Sequence, residues 1–336
     1  VDEHFASTWL ENIDKALNGR KIDYLIVQHV EPDHSGSIAK FLEKHKDTTV
    51  VGNLKTLSYL AQFFPNTKFE NTLVIADNST LNLGHNELKF IFAPFIHWPE
   101  VFVTYVKEQK VLFSADAFGK FGLSKDENDY IDEARRYYIG IVGKYGLQVN
   151  SLLTKAAPLE IDTICSLHGP VLKDNISLAL SLYKKWATYQ SEDEDVLIAY
   201  ASVYGHTKEA CIELKHELES LGKKVDIIDL ARDDIYKAIS LAFKHKNLVL
   251  ASITYNATLF PKMNQFIDEL LSRNFQNRKV GFIENGTWAP TSGKTMKDKL
   301  ANAKNLTIID KVVSVKSALN SQSFESIKEL AKAIAE

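Results

Sequence analysis

The sequence predicts an α/β protein of two domains, and three observations predict it. In the first half, four apolar runs of strand length each lead to side chains able to bind a metal, on short loops carrying Pro or Gly. In the second half, strand-like and helix-like segments alternate strictly, the pattern of a parallel sheet covered on both faces. Between the halves lies Gln190-Ser191-Glu192-Asp193-Glu194-Asp195, polar, acidic and without a large apolar side chain. Such a segment marks a boundary and gives domains at 1–190 and 195–336.

The first half opens on polar Val1-Asp2-Glu3-His4 and a helix-like stretch at 5–17. Tyr24-Leu25-Ile26-Val27 reads as a buried strand. It runs into His29-Val30-Glu31-Pro32-Asp33-His34, a loop followed by Gly36 and a helix-like stretch at 37–46. Ligands at the carboxyl end of a strand, ahead of a helix, lie where α/β folds put their chemistry. Leu88-Lys89-Phe90-Ile91-Phe92-Ala93 leads to His97, between Pro94 and Pro99. Val111-Leu112-Phe113-Ser114 leads to Asp116, and Ile161-Asp162-Thr163-Ile164-Cys165-Ser166 to His168, ahead of Gly169-Pro170. A lone histidine is more often a packed residue than a ligand. Seven candidate ligands on four strand ends are enough for two metal ions sharing one carboxylate. A set of histidines and carboxylates suits iron or manganese better than a thiolate-rich zinc site does. Lys89 and Glu100 are given no role, and a helix-like stretch at 173–189 closes the half.

The second half reads as strands at 196–200, 224–228, 248–252, 279–284 and 306–309, with helices at 207–221, 234–243, 262–273, 292–301 and 323–335. This alternation fits the doubly wound strand order 2-1-3-4-5, which binds a flavin mononucleotide where the order reverses. The first strand-to-helix loop holds Ser202, Tyr204, Gly205, His206 and Thr207. Its hydroxyls, its glycine and the helix start make a nest for a phosphate dianion. The loop after the third strand carries Thr254, Tyr255 and Asn256, and that after the fourth Asn285, Gly286, Thr287 and Trp288. Each offers an aromatic ring and polar groups, as an isoalloxazine ring requires. No Gly-x-Gly-x-x-Gly is present, which favours FMN over a dinucleotide.

The order His-x-Glu-x-Asp-His, His, Asp, His resembles the metallo-β-lactamase fold as used by flavodiiron proteins. Hydrolases of that fold carry His-x-His-x-Asp-His, and Glu31 stands where their second histidine would be. The three loops of the second half likewise resemble the phosphate and ring loops of flavodoxins, the first in its flavodiiron form. The resemblance covers essentially the whole chain. It implies a metallo-β-lactamase-like αββα sandwich followed by a flavodoxin-like domain. Family chains carry roughly fifty residues ahead of the position of Val1, so the sandwich is expected to lack its first strands and to expose a sheet edge.

The resemblance further implies one iron held by His29, Glu31 and His97, and a second held by Asp33, His34 and His168. Asp116 would bridge the two, and FMN would supply electrons. The implied reaction is reduction of dioxygen to water or of nitric oxide to nitrous oxide. Rubredoxin or another small donor would deliver electrons. A head-to-tail dimer, or a dimer of dimers, would bring flavin and metal together. Tyr145, or Tyr138, could supply a proton near the metals.

Composition sets bounds on these readings. Across 336 residues the net charge of −3, with lysines dispersed among acids, argues against nucleic acid. No apolar run approaches the ~20 residues that cross a bilayer, and no signal peptide is apparent. Cysteine occurs only at 165 and 211, which fits a reducing cytoplasm. Two other functions remain in view. One is a zinc hydrolase with a flavodoxin-like binding domain; the other is an FMN electron carrier with a structural metal domain.

Overall fold

The computed structural model describes residues 1–124 and 126–336. The chain forms two compact units, Val1–Tyr130 with Leu147–Lys184, and Ile131–Gly146 with Lys185–Glu336. The acidic stretch at 190–195 lies within the second.

In the first unit, β1 (Tyr24–Ile26), β2 (Thr49–Gly52) and β3 (Thr72–Val74) make a parallel sheet in that order. A second sheet runs in chain order through β4 (Thr80–Asn82), β5 (Glu87–Phe92), β6 (Phe102–Val106), β7 (Val111–Phe113) and β8 (Thr163–Cys165). It is antiparallel except between β7 and β8. Val51 of the first sheet packs with Phe90, Phe102 and Val106 of the second, so apolar faces of the two sheets share one core. On the other side, Val50 packs against Ile38 and Leu60 from helices Ile38–Lys44 and Leu54–Phe63. This is the helix-covered sandwich expected from the sequence.

The second unit contains β9 (Asp193–Ala201), β10 (Val225–Asp229), β11 (His245–Tyr255), β12 (Thr258–Leu259), β13 (Lys279–Asn285) and β14 (Thr307–Val315). The parallel order is β10-β9-β11-β13-β14, with β12 folded back antiparallel on β11. Counting only the parallel strands, this is the expected 2-1-3-4-5. Alternate residues of β9 face opposite ways. Val196, Ile198 and Tyr200 pack under Leu214 and Leu218 of helix His206–Ser220 and Leu330 of helix Ser321–Ala335. Within the same unit, buried Arg135 donates to Glu192 from Nε (2.5 Å) and Nη2 (2.7 Å), and Trp186 Nε1 donates to the same carboxylate at 2.7 Å.

Three local readings change. The segment expected as a loop after β1 closes as a helical turn, Pro32–Ser35, with the proline at its start. The first three residues of β9 come from the acidic stretch, because Asp193 pairs with His245. Strand β14 continues past Ile309 to Val315, through a register shift opposite Gly281. Helices Glu127–Ile141 and Gly146–Ala156 were not foreseen.

Candidate functional site

The first unit gathers all seven expected ligands into two groups, His29, Glu31, His97 and Asp116 in one, and Asp33, His34 and His168 in the other. Each comes from the carboxyl end of a strand, and each loop is pinned. Gln28 reaches the second sheet, donating to Phe113 O at 2.8 Å, and the buried Ser35 hydroxyl donates to Val30 O at 2.7 Å. The turn Ser114–Phe118 places Ala115 and Phe118 at φ of 50° and 67°, on either side of Asp116. A left-handed backbone at a residue other than glycine persists only where its surroundings impose it. Here Ser114 Oγ donates to Ala117 O (2.7 Å), Phe118 N to Tyr183 Oη (2.6 Å) and Tyr130 Oη to Phe118 O (3.2 Å). Gly169, at φ 85°, follows His168 where a Cβ would come within 2.8 Å of Lys120 Cγ. Only glycine suits that position.

Four donor atoms of the first group surround one point. Glu31 Oε2 lies 3.2 Å from His29 Nε2 and 2.9 Å from His97 Nε2. Asp116 Oδ2 lies 3.4 and 3.2 Å from the same nitrogens. Donors spaced this way leave a centre about 2 Å from each, the length of bonds to a first-row metal ion. In the second group, His34 Nε2 and His168 Nε2 are 3.2 Å apart, and each is 3.3 Å from Asp33 Oδ2. Asp116 Oδ1 lies 3.0 Å from His34 Nε2, yet this buried oxygen has no aligned hydrogen bond. Asp116 thus turns one oxygen toward each group. The donor set fits two metal ions.

The local charges favour a cation. Burial opposes charge on His29, but hydrogen bonds to Glu100 and Glu31 outweigh it and raise its pKa to about 9. Burial likewise opposes charge on His97, and Asp116 and Glu31 raise it to about 9. Glu31 is held down to about 2 by His29 and His97. Burial opposes the charge on Asp116, yet His34 and His97 hold its pKa well below the usual range. Without metal, protons supply the positive charge this pocket demands.

Glu100, given no role from the sequence, is fully buried and accepts from His29 Nδ1 at 2.8 Å and from Val30 N at 3.1 Å. The bond to Nδ1 leaves Nε2 free to bind metal. Nothing in the sequence around Glu100 marks this role, which arises only where Val101–Val106 closes into the sheet. Tyr145 is not among the gathered residues. It belongs to the second unit, where the Lys144 ammonium lies 4.9 Å from its ring centre. Tyr138 is buried there against Trp186, and burial pushes its phenol well above the usual range.

The second unit holds a cavity of about 480 Å³ at the carboxyl ends of its strands. Its volume falls in the range of small-molecule sites. All twelve residues expected to bind cofactor line it except Gly205 and Tyr255. Gly205 instead sets the loop: at φ 102° it starts helix His206–Ser220, and its N–H donates to Ser202 Oγ at 3.2 Å. Tyr255 rests edge-on against Phe260. Thr207 Oγ1 is buried with no hydrogen-bond partner at the phosphate end. Trp288 and Tyr204 are 81% and 92% exposed, open to stack on a flat ring. An unsatisfied buried hydroxyl at a helix start and two uncovered aromatics fit a flavin phosphate and ring. Ser317, beyond β14, also lines the cavity, and its hydroxyl is 2.8 Å from that of Thr287. The sequence reading missed it because it ended that strand early.

Fold and site define a beta-lactamase-like metal domain joined to a flavodoxin domain. Residues 2–169 match the ODP family beta lactamase, and residues 197–326 match a flavodoxin domain. An uncharacterized protein of Methanocaldococcus jannaschii is 27% identical over 331 residues, covering 96% of this chain and 83% of its own. The anaerobic nitric oxide reductase flavorubredoxin of Citrobacter koseri is 25% identical over 315 residues, 90% of this chain. The match spans 65% of that relative's length. The rubredoxin oxygen:oxidoreductase of Desulfovibrio gigas shares the fold, with a TM-score of 0.92 at 22% identity, over 100% of this chain and 86% of its own. The chain belongs to the ODP family of beta lactamases, with a flavodoxin domain following.

Among the described residues no helix is long and apolar enough to cross a membrane.

Proposed function

We propose that the protein is a flavodiiron oxidoreductase that takes electrons through FMN and reduces dioxygen to water, nitric oxide to nitrous oxide, or both. The observation that carries this reading is Asp116, whose two oxygens face separate ligand groups in a chain that also holds a flavodoxin domain. His29, Glu31 and His97 would hold one iron and Asp33, His34 and His168 the other, with Asp116 between them. An iron pair held by these residues would supply the redox chemistry, with room for a small molecule between the two groups. The chain's own part is to hold that pair in place. Glu100 keeps His29 turned toward the metal, and the pinned turn at Ser114–Phe118 keeps Asp116 between the groups.

Ser202, Tyr204, Gly205, His206 and Thr207 would hold the FMN phosphate. Thr254, Tyr255, Asn256, Asn285, Gly286, Thr287 and Trp288 would contact the ring. On this reading residues 1–190 carry the metal chemistry and 195–336 the flavin. Electrons would come from rubredoxin or a similar small donor and pass between subunits of a head-to-tail dimer.

Stopped-flow mixing of the reduced protein with each gas, with iron and zinc measured on the same sample, tests the proposal. Iron with rapid flavin re-oxidation supports it. Zinc alone, with hydrolysis and no gas consumption, refutes it. Slow re-oxidation of an iron-loaded sample by both gases would leave only an electron carrier.

A further inference from the structure

The two metal positions are not built alike. The first group has a buried second carboxylate behind it: the side chains of His29 and Glu100 are both 0% exposed and meet at 2.8 Å. Glu100 is itself fixed from the far side. Asn53 Nδ2 donates to its backbone oxygen at 2.6 Å, while Asn53 Oδ1 caps helix Leu54–Phe63 by accepting from Lys55 N and Thr56 N, both at 3.0 Å. Glu100 Oε2 is buried with no hydrogen-bond partner. A buried carboxylate with one oxygen unanswered needs positive charge nearby. Among the described residues, the cationic partner recorded within ion-pair distance of Glu100 is His29. The second group is the more open of the two: Asp33 and His168 are 42% and 34% exposed, whereas in the first group only Glu31, at 35%, reaches that exposure and His29 is fully covered. Setting the shared Asp116 aside, two carboxylates, Glu31 and Glu100, serve the first position, and Asp33 serves the second.

We infer that Glu100 is a positioning residue that makes the His29–Glu31–His97 position the tighter of the two, so that the centre fills in a fixed order and exchanges metal at the Asp33–His34–His168 position. Glu100 does this in two ways. Its bond to Nδ1 holds the imidazole in the tautomer and orientation that present Nε2. Its charge, transmitted through the ring, makes that nitrogen a stronger donor. The second position is left near water, where its ligands can release an ion without unfolding the loop. The inference rests on the seven side chains being a two-metal site.

The test is an anaerobic titration of flavin-loaded, metal-stripped protein with cobalt(II), followed by visible absorption. Two steps are expected, the first at least 10-fold tighter. Glu100→Gln keeps an acceptor for Nδ1 but removes the charge. Measured above about pH 9, where protons no longer compete for His29, it should weaken the first step about 10- to 100-fold and leave the second unchanged. Glu100→Ala should weaken the first step at least as much, with flavin content and thermal unfolding reporting its fold. A residue important only for folding would weaken both steps together. One measurement needs no variant: a crystal of the unmodified protein with a single equivalent of cobalt should show the ion beside His29, Glu31 and His97. The inference is overturned by equal steps, by a Glu100→Gln variant that binds like the unmodified protein or loses both steps alike, or by cobalt at Asp33, His34 and His168. Failure to bind cobalt at any step would instead refute the two-metal reading itself.

Discussion

Filling the metal centre should expel protons, and the number follows from its charges. His29 and His97 titrate near 9 in the metal-free protein, because nearby carboxylates outweigh the effect of burial. At pH 7 each lies two units below that value, so each is about 99% protonated. Glu31 and Asp116 are already ionised and release nothing. Metal must therefore displace about two protons from His29 and His97 at pH 7. At 1.36 kcal/mol per unit, two groups two units away cost about 5 kcal/mol. Apparent affinity at pH 7 should lie about 10⁴-fold below its value above pH 9. The sign is fixed: raised histidine pKa values favour the metal-free state as pH falls. Calorimetry with cobalt(II), in buffers of different ionisation enthalpy, counts the protons. The logarithm of affinity should climb by about two per pH unit between pH 7 and 8, then flatten above 9. Fewer than one proton released at pH 7, or an affinity independent of pH from 7 to 9, would refute this account of the site's charges.

Other outcomes follow from the same geometry. Asp116→Ala removes an oxygen from both groups. Bound metal should fall below one ion per chain and gas reduction by more than about 100-fold, with the flavin spectrum intact. Thr207→Val should weaken FMN by about 10- to 100-fold, the worth of one hydrogen bond to a charged group. It should not destabilise the flavin-free protein, whose Thr207 hydroxyl is already unsatisfied, and mass spectrometry should identify the released cofactor as FMN. In the second unit, His245 sits between Asp193 and Asp226, at 2.7 Å from each. Burial opposes its charge, but the two carboxylates together prevail and raise its pKa; burial is likewise the largest effect on Asp193, overcome by the His245 bond and charge together with the Asp195 amide and Lys244, while at Asp226 the His245 bond is the leading cause of the lowering. The His245 contribution is full below about pH 6.5 and lost as pH rises through its raised value; the aspartate contributions are lost as pH falls below about 4. His245→Gln should therefore cost most near pH 5–6, about 2 kcal/mol by urea unfolding, and a pH-independent cost would contradict the charge pairing. Mixing Asp116→Ala with a Trp288→Glu variant should restore part of the activity after subunit exchange; verified heterodimers without activity would exclude transfer across an interface.

Much of the fold and the candidate site was legible because chemistry and periodicity coincide at the strand ends. His29, Glu31, Asp33 and His34 fall within six residues, directly after an apolar run, and the helical turn that arranges them needed no prediction to reveal the set. The parallel sheet of the second unit was readable from its strand–helix alternation. What escaped notice depends on tertiary context. Glu100 looks like any acidic residue beside a proline; only the closing of Val101–Val106 into the sandwich buries it against His29. The polar pair Asp310-Lys311 reads as the end of a strand, yet a register shift carries β14 past it, and Ser317 consequently reaches the cofactor cavity. Strands of three residues, such as Thr72–Val74 and Thr80–Asn82, are too short to display a period.

The interleaving of the two units limits how this protein can be cut and recombined. The backbone changes unit three times, after Tyr130, Gly146 and Lys184, so what looks like two beads on a string is stitched. A fragment ending at 190 would carry Ile131–Gly146 away from the unit it belongs to. It would strip Arg135 of the two-pronged bond to Glu192 and leave it, among the described residues, only Asp132, at 2.9 Å. A flavodoxin fragment starting at 195 would lack the same segment from the other side. Modules grafted onto this chain, by evolution or in the laboratory, are therefore better joined after its last helix than inserted at the acidic stretch. The inherited unit is the pair of domains, and its parts are not freely exchangeable.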